Sequence, residues 1–308
     1  MRIVSLLPSA TEIICSIGLR DSLVGVTHEC DYPADVVGLP IVTKSAIPHN
    51  ASSNEIDHMV RQQLETSTAL YSLDVELLEK LQADLIVTQA LCEVCAVSEA
   101  EIEASVCQLS NRPRVVNLEP MCLKNVFDTL LLVGQETNQQ DVAVDVVHAL
   151  NARVERVRVL TESNIKKKAQ YPKVAFLEWI DPPFNAGHWT PELIEMAGGI
   201  DCLGNKHQPS QTTLWEHIIE AEPDVMFIAC CGFSMERAIQ DLPILRANEG
   251  WEDLPCVKRN RVYFSDGNSY FNRPGPRLVD SLEIIANALH PDVHILSMNL
   301  PPAIRVLA

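Results

Sequence analysis

Positive charge is scarce in this sequence of 308 residues. Lys and Arg number 24 against 41 Asp and Glu, which gives a formal net charge of −17. Such an excess of negative charge disfavours binding to nucleic acid and to anionic lipid surfaces. Apolar runs are also short, and none reaches the ~20 residues that a membrane-spanning helix needs. We therefore expect neither nucleic-acid binding nor membrane insertion.

Short catalytic motifs are missing as well. The sequence has no P-loop, no G-x-G-x-x-G fingerprint, no G-x-S-x-G nucleophile elbow and no H-E-x-x-H zinc motif. These absences argue against several large enzyme classes. We therefore assign no catalytic residue and favour a binding protein over an enzyme.

The N-terminus has no recognisable secretory signal, because residues 3–7 are too short for its apolar core and Glu12 follows without a cleavage site. Ten cysteines are present, mostly in apolar stretches, which is typical of reduced, buried thiols and not of a disulfide framework. Both features predict a cytoplasmic protein. A periplasmic location would require that a signal had been removed from this sequence.

Two parts of the chain repeat one order of elements. In the first part, an apolar run at residues 3–7 is followed by a proline turn and a predicted helix at 10–17. In the second part, the run 173–178 is followed by a Pro-Pro turn and a predicted helix at 191–197. The repetition predicts two similar α/β lobes, and a cleft between domains is a common place for a small ligand.

Alternating strands and helices predict parallel sheets built from βαβ units. The predicted strands are residues 3–7, 23–26, 84–89, 114–117, 173–178, 224–230 and 261–264. The predicted helices are residues 10–17, 75–81, 99–109, 123–132, 191–197, 215–221 and 278–289. An irregular insertion with a helical segment at 56–64 is predicted over residues 45–68, and a short tail is predicted after Pro291.

One long helix is predicted between the lobes, at residues 139–165, because apolar residues recur there at spacings of three and four without Gly or Pro. The chain then divides into an N-terminal lobe at 1–122, linking helices at 123–170 and a C-terminal lobe at 171–308. A single stiff helix limits lobe movement. We therefore expect a largely preformed cleft and little rearrangement when a ligand binds.

Several segments together resemble one protein family. They are RIVSLLPSATEI at residues 2–13, LVGVTHECDYP at 23–33, ADLIVTQ at 83–89, PPF at 182–184, NRVYF at 260–264 and FNRPGPRLVD at 271–280. The chain resembles the helical-backbone (class III) periplasmic-binding-protein family, the receptors for iron chelates, haem and cobalamin, and in particular the cobalamin-binding receptors of ABC importers. The resemblance implies an α/β fold of two Rossmann-like lobes joined by one long helix, with the ligand between them.

The resemblance also implies which residues contact a ligand. Matching motifs place these contacts at Glu29, Gln89, Phe184 and the loop 269–273, which includes Arg273. The implied ligand is a small molecule, cobalamin or a related corrinoid, and the implied partner is an ABC permease.

Sulfur and imidazole groups follow two of the predicted strands. Residues 28–30, His-Glu-Cys, follow the second strand, and Cys92 and Cys95 follow the third. Loops after parallel strands lie at one edge of the sheet, so His28, Cys30, Cys92 and Cys95 can converge into a tetrahedral zinc site. The alternatives are small buried thiols beside an ordinary loop and a redox dithiol.

Aromatic residues make up only 5% of the chain, yet residues 178–189 hold two Trp, one Phe and one His. Aromatic faces suit a flat macrocycle or a heteroaromatic ring. We predict that Trp179, Phe184 and Trp189 belong to the ligand site, although either Trp could instead brace the interior of the lobe. His188 is included with them, as a metal ligand or as a hydrogen-bonded structural residue.

Residues 269–277 are predicted to form an irregular loop because they contain two prolines and a glycine. Tyr270 and Arg273 lie in this loop and are assigned to the ligand site. Arg273 can hold an acidic or amide group through two parallel hydrogen bonds.

The sequence therefore predicts a non-catalytic binding protein for a cobalamin-like corrinoid, another tetrapyrrole or a metal chelate. The alternative is a cytoplasmic metal-binding protein or an enzyme on the same scaffold. That alternative would use His28, Glu29, Cys30, Cys92 and Cys95.

Overall fold

The structure of the protein is a computed structural model that describes residues 1–45, 52–66, 71–89, 99–168 and 171–306. The chain forms two compact units. Unit 1 contains Met1–Pro120 and Lys124–His148, and unit 2 contains Met121–Leu123 and Ala149–Ala308.

The first half of the chain alternates short strands with helices. Its strands are β1 (Ile3–Ser5), β2 (Leu23–Gly25), β3 (Thr43–Ser45), β4 (Tyr71–Leu73), β5 (Leu85–Thr88) and β6 (Arg114–Asn117). Its helices are α1 (Pro8–Ser16), α2 (Ser53–Thr66), α3 (Val75–Leu81), α4 (Glu99–Val106), α5 (Leu123–Glu136) and α6 (Gln140–Lys168).

The second half repeats this alternation with more and shorter elements. Its strands are β7 (Lys173–Ile180), β8 (Pro183–Asn185), β9 (Gly187–His188), β10 (Ile200–Asp201), β11 (Asn205–Lys206), β12 (Val225–Ile228), β13 (Val262–Phe264) and β14 (Ile304–Val306). Its helices are α7 (Thr190–Met196), α8 (Trp215–Ala221), α9 (Met235–Ile239), α10 (Leu242–Arg246), α11 (Pro255–Lys258) and α12 (Leu278–Leu289).

Unit 1 is built on a four-stranded parallel sheet in the order β2-β1-β5-β6. Ile3 in β1 pairs with Leu23 of β2 on one side and with Leu85 of β5 on the other. All four residues of β5 are buried, as expected for a parallel strand that is covered on both faces. The segments that follow β1, β2 and β5 therefore start from the same edge of this sheet.

Unit 2 is built on a six-stranded sheet with the path β10-β7-β12-β13-β14, and β8 pairs with β7 beside that path. Strands β10, β7, β12 and β13 run parallel, while β8 and β14 run antiparallel to their neighbours. The four residues of β12 have no solvent exposure, so this strand is the centre of the core. The predicted α/β class with parallel sheets is confirmed.

Local sequence explains where several helices begin and end. The Asp74 carboxylate caps α3 by accepting a hydrogen bond from the Leu77 N–H at 3.0 Å. Helix α7 has Pro191 in its first turn, where the missing N–H is not needed. Gly198 follows α7 with φ +82, and a Cβ there would overlap the side chain of Thr161. Glycine is therefore needed for this chain reversal.

The long-helix prediction is confirmed, with bounds shifted by a few residues. Helix α6 contains 29 residues, which corresponds to about 43 Å at 1.5 Å per residue. It begins in unit 1 and continues into unit 2 without a break. No helix in the described ranges has the length and apolar content that crossing a membrane requires.

The structure corrects two local predictions. Residues after Pro291 are not only a tail, because β14 adds an antiparallel strand to β13. The loop predicted at 269–277 begins inside a π-helical turn, Gly267–Phe271, whose start is capped by the Asp266 side chain. The helical segment predicted at 56–64, within the insertion at 45–68, is present as part of α2, and a small antiparallel pair, β3 with β4, flanks that insertion.

Candidate functional site

A cluster of aromatic and charged side chains lies at one edge of the unit 2 sheet. The carboxyl ends of β7, β12 and β13 are neighbours there, because these strands are adjacent and parallel. The segments after β12 and β13 are in direct backbone contact: a Cβ at Gly267 would overlap the carbonyl oxygen of Cys230. This is the edge at which open α/β sheets usually bind ligands.

Aromatic rings form a wall at this edge, two of them partly buried and the third, Phe233, buried. Trp179 and Phe184 are directly opposite each other in the β7–β8 pair, so their side chains share one face of the hairpin. The Trp179 ring lies 4.7 Å from the ring of Phe233, measured between centroids. The guanidinium of Arg237 lies 4.3 Å from the Phe233 ring centroid and 3.0 Å from the Asp241 carboxylate. The result is an apolar wall with a cation beside it.

A buried carboxylate supports the turn next to this wall. Glu178, on β7, accepts a hydrogen bond from the Gly187 N–H at 2.9 Å. Burial raises the pKa of Glu178, while hydrogen bonds from Gly187, Ser210 and Thr190 act in the opposite direction. Glu178 therefore holds the β8–β9 segment against the end of β7.

Trp189 is more buried than Trp179 and Phe184, whereas its neighbour His188 is partly buried as they are. The two rings stack with centroids 5.3 Å apart, and Trp189 is only 5% exposed. The Trp189 indole N–H donates to the carbonyl oxygen of Phe271 at 2.8 Å. Burial lowers the pKa of His188, and its Nε2 atom is buried without a hydrogen-bond partner. The Trp189 side chain therefore joins the end of β9 to the π turn.

Tyr270 and Arg273 are both placed next to the end of β13. Arg273 is only 3% exposed and donates a hydrogen bond to the Asn268 side chain at 3.0 Å. Tyr270 is partly buried, and the Arg277 guanidinium lies 5.5 Å from its ring centroid. The structure therefore places the six predicted unit 2 residues at the end of β7, on β8 and β9, and on the segments that follow β9 and β13: Trp179, Phe184, His188, Trp189, Tyr270 and Arg273. Ligand contact by each of them stays a prediction.

A buried hydroxyl–thiol cluster lies at the corresponding edge of the unit 1 sheet. The Thr11 hydroxyl donates to the Ser5 hydroxyl at 2.8 Å and lies 3.1 Å from the Cys30 sulfur. The Thr27 hydroxyl lies 3.1 Å from the same sulfur. Cys30 is 8% exposed, so its sulfur belongs to the interior of unit 1.

The other predicted unit 1 residues that the structure describes follow β2 and β5. His28 Nδ1 is 2.7 Å from the Thr43 hydroxyl, and its Nε2 is 3.3 Å from the Glu29 carboxylate. The Glu29 side chain is 38% exposed, whereas Gln89, directly after β5, is 6% exposed. Cys92 and Cys95 fall outside the described residues. The predicted zinc site of His28, Cys30, Cys92 and Cys95 therefore stays a prediction.

Phe233 and Arg237 are site residues that the sequence analysis missed. They follow β12, which is separated from β7 by about 45 residues of chain but adjacent to it in the sheet. A usable signal was present, since residues directly after any strand of a parallel sheet reach the ligand edge. Applying that rule to β12 would have found an aromatic ring followed by an arginine one helical turn later.

A sequence profile described as periplasmic binding protein matches residues 3–268. The chain therefore belongs to the periplasmic binding protein family. This membership agrees with the two α/β units and the long shared helix.

Individual relatives are distant but cover nearly the whole chain. The vitamin B12-binding protein of Vibrio cholerae serotype O1 is 23% identical over 292 residues, which are 94% of this chain and 88% of the relative. An uncharacterized ABC transporter substrate-binding lipoprotein of Bacillus subtilis, YvrC, is 22% identical over 298 residues, with 94% and 80% covered.

Solved structures show the same fold. The periplasmic vitamin B12 binding protein of Vibrio cholerae superposes with a TM-score of 0.67 at 23% identity, covering 94% of this chain and 96% of that one. A periplasmic heme binding protein from Pseudomonas aeruginosa superposes with a TM-score of 0.75 at 18% identity, covering 100% and 99%. None of these relatives is named as an enzyme.

Proposed function

We propose that this protein is a substrate-binding protein for a corrinoid of the cobalamin type. The observation that carries the proposal is the aromatic wall of Trp179, Phe184 and Phe233 with Arg237 beside it. Flat ring systems with polar edges are recognised by aromatic faces together with a few charged or amide groups. The names of the relatives, a vitamin B12-binding and a heme binding protein, support the same ligand class.

A corrinoid is favoured over haem by the position of the two histidines among the predicted site residues. Haem iron is commonly held by a protein side chain such as His. The Nε2 atoms of both His188 and His28 are buried, and His28 Nδ1 lies against Thr43. Neither Nε2 atom is open to solvent. Cobalamin carries its own axial ligands, so it needs no such side chain.

The proposed partner is an ABC permease. The relative from Bacillus subtilis is described as an ABC transporter substrate-binding lipoprotein, and such a protein delivers its ligand to a membrane transporter. For this chain, docking to a permease is part of the proposal that it is a substrate-binding protein. The compartment in which docking would take place is part of the same proposal. The cytoplasmic location stays a prediction from the sequence.

Isothermal titration calorimetry of the full chain with cyanocobalamin tests the proposal. Separate titrations with hemin and with a ferric siderophore test the alternative ligands. We expect cobalamin to bind with a Kd of about 1 μM or tighter, and more tightly than the other two. Tighter binding of hemin would contradict the corrinoid assignment and keep the binding-protein class. No binding of any of the three tighter than about 1 mM would contradict the class itself.

A further inference from the structure

Three side chains of unit 2 that are capable of holding a metal ion lie together. They are the thiol of Cys122, the carboxylate of Glu192 and the imidazole of His207. One donor atom from each lies within 4.8 Å of the other two. In the ranges that the structure describes, this is the only group of three or more His, Cys, Asp or Glu side chains that approach so closely.

Different elements place the three donors. Cys122 directly precedes α5, and Glu192 is in the first turn of α7. His207 follows β11, where its backbone N–H donates to the carbonyl oxygen of His188 at 2.9 Å. The Glu192 carboxylate is oriented by the Leu123 N–H, which donates to Oε2 at 3.1 Å. Such a hydrogen bond to a carboxylate fixes its direction and supports metal ligation.

The spacing of the donors suits a small tetrahedral ion. In a zinc site with bonds of ~2.0–2.3 Å, the donor atoms lie about 3.5 Å apart. Glu192 Oε2 and His207 Nε2 are 3.8 Å apart, so small side-chain movements bring them to that spacing. A thiolate, an imidazole and one carboxylate favour zinc over magnesium or calcium, which prefer oxygen ligands.

Access from solvent is available at the same point. The His207 side chain is 46% exposed and the Glu192 side chain is 17% exposed. An ion can therefore enter, and a water molecule can supply a fourth ligand, as in zinc sites with three protein ligands. An exposed pair of Glu and His alone would be an ordinary ion pair. The Cys122 sulfur adds a third donor, and the three donors together are of the type that binds zinc.

We propose that Cys122, Glu192 and His207 bind a zinc-type divalent cation, with water as the fourth ligand. Binding removes the proton from the Cys122 thiol and releases it to solvent, so that thiolate, imidazole and carboxylate face the ion. The ion joins the start of α5 to α7 and to the segment after β11. None of these three residues belongs to the aromatic wall, and zinc binding does not depend on the ligand proposed above.

Zinc titration of the metal-stripped full chain tests this proposal by calorimetry. We expect about one equivalent to bind, and we expect Cys122→Ser and Glu192→Gln each to weaken binding at least about tenfold. Cys107→Ser is the matched control, because Cys107 is an exposed cysteine outside the cluster. Cys92→Ser tests the other predicted zinc site. Both control variants are expected to keep the affinity of the natural chain.

Cobalt gives a second readout that identifies the cysteine which coordinates the ion. With Co²⁺ in place of zinc, we expect a thiolate-to-cobalt charge-transfer band that Cys122→Ser abolishes and Cys107→Ser retains. Thermal unfolding of the metal-free variants separates loss of a ligand from loss of the fold. A zinc Kd weaker than about 100 μM, or a site that is lost in Cys92→Ser and kept in Cys122→Ser, would overturn the proposal.

Discussion

Asp201 lies at the end of β10, and its ionised form destabilises the folded protein relative to its neutral form. Burial raises the pKa of Asp201 from 3.8 to about 6, and the charge of Glu195 adds to this. The N–H groups of Gly204 and Leu203 act in the opposite direction without cancelling it. A pKa above the unfolded value means that the folded state binds this proton more tightly than the unfolded chain does.

The free energy of unfolding should therefore depend on pH through Asp201. Its contribution is fully present below about pH 4 and is lost as the pH rises through about 6. Asp201→Asn keeps an oxygen for the Gly204 N–H and removes the titration. We expect the stability of Asp201→Asn relative to the natural chain to fall by about 1–3 kcal/mol between pH 7 and pH 4, measured by urea unfolding.

The control for this experiment is Asp21→Asn, at an exposed position of unit 1. Its stability relative to the natural chain should change little over the same pH range. If the free energies of unfolding of Asp201→Asn and the natural chain differ by the same amount at pH 7 and at pH 4, burial does not raise the pKa of Asp201.

Individual site residues could be predicted where their neighbours in the chain supply the signal. The density of aromatic residues around Trp179 and Phe184 is a local feature and is visible in the sequence. Phe233 was missed because its partner Trp179 is distant in the chain and meets it only through the β7–β12 pairing. The burial of Arg273 could not be read from its charge, because it depends on packing within unit 2.

Helices α6 and α12 are joined within unit 2 by a network of charges. Arg153 contacts both Asp280 and Glu283, at 2.5 Å and 2.8 Å, and Arg156 contacts Glu283 at 2.8 Å. The Glu283 side chain is only 11% exposed. Burial alone would raise the pKa of Glu283, but the hydrogen bonds and charges of the two arginines hold it below its ordinary value.

Neutralising Glu283 should therefore destabilise the protein. We expect Glu283→Gln to lower the free energy of unfolding at pH 7 by about 1–3 kcal/mol, because it leaves the partly buried Arg153 with one carboxylate fewer. A lowered pKa contributes stability above the unfolded value of 4.5, and that stability is lost as the pH falls through the folded value. The deficit of Glu283→Gln should accordingly shrink below about pH 4.5.

Glu162→Gln is the matched control on the same helix. Glu162 also contacts an arginine, Arg158, but its side chain is 50% exposed. Exposed pairs of this kind contribute about 0.5 kcal/mol or less. If urea unfolding shows the same loss in the free energy of unfolding for both variants, the burial of Glu283 does not strengthen its contribution to stability.

At the level of elements, periodic apolar patterns explain most of what could be predicted. The strands β5, β7 and β12 and the helix α6 all have strong local patterns, and each was found with small errors at its ends. The pairing of β14 with β13 was missed because a three-residue edge strand has no pattern of its own. The position of β14 depends on the edge of β13, which forms only when the rest of the unit 2 sheet has assembled.

For the whole molecule, fold and ligand are separate questions. The repeated order of elements and the family match establish a periplasmic binding protein fold. Relatives with this fold are named for both vitamin B12 and heme, so the fold alone does not select the ligand. The selection has to come from side chains at the loops, and the aromatic wall is the central element of our account.

The affinity of cyanocobalamin for Phe184→Ala, compared with Tyr171→Ala, tests that account most directly. Phe184 lies on the wall, whereas Tyr171 is 54% exposed and precedes β7, at the opposite end of the strand. We expect Phe184→Ala to weaken binding at least about tenfold through lost aromatic contact, and Tyr171→Ala to bind like the natural chain. Thermal unfolding of both variants checks the fold. Unchanged affinity in a folded Phe184→Ala would contradict the assignment of this edge as the ligand site.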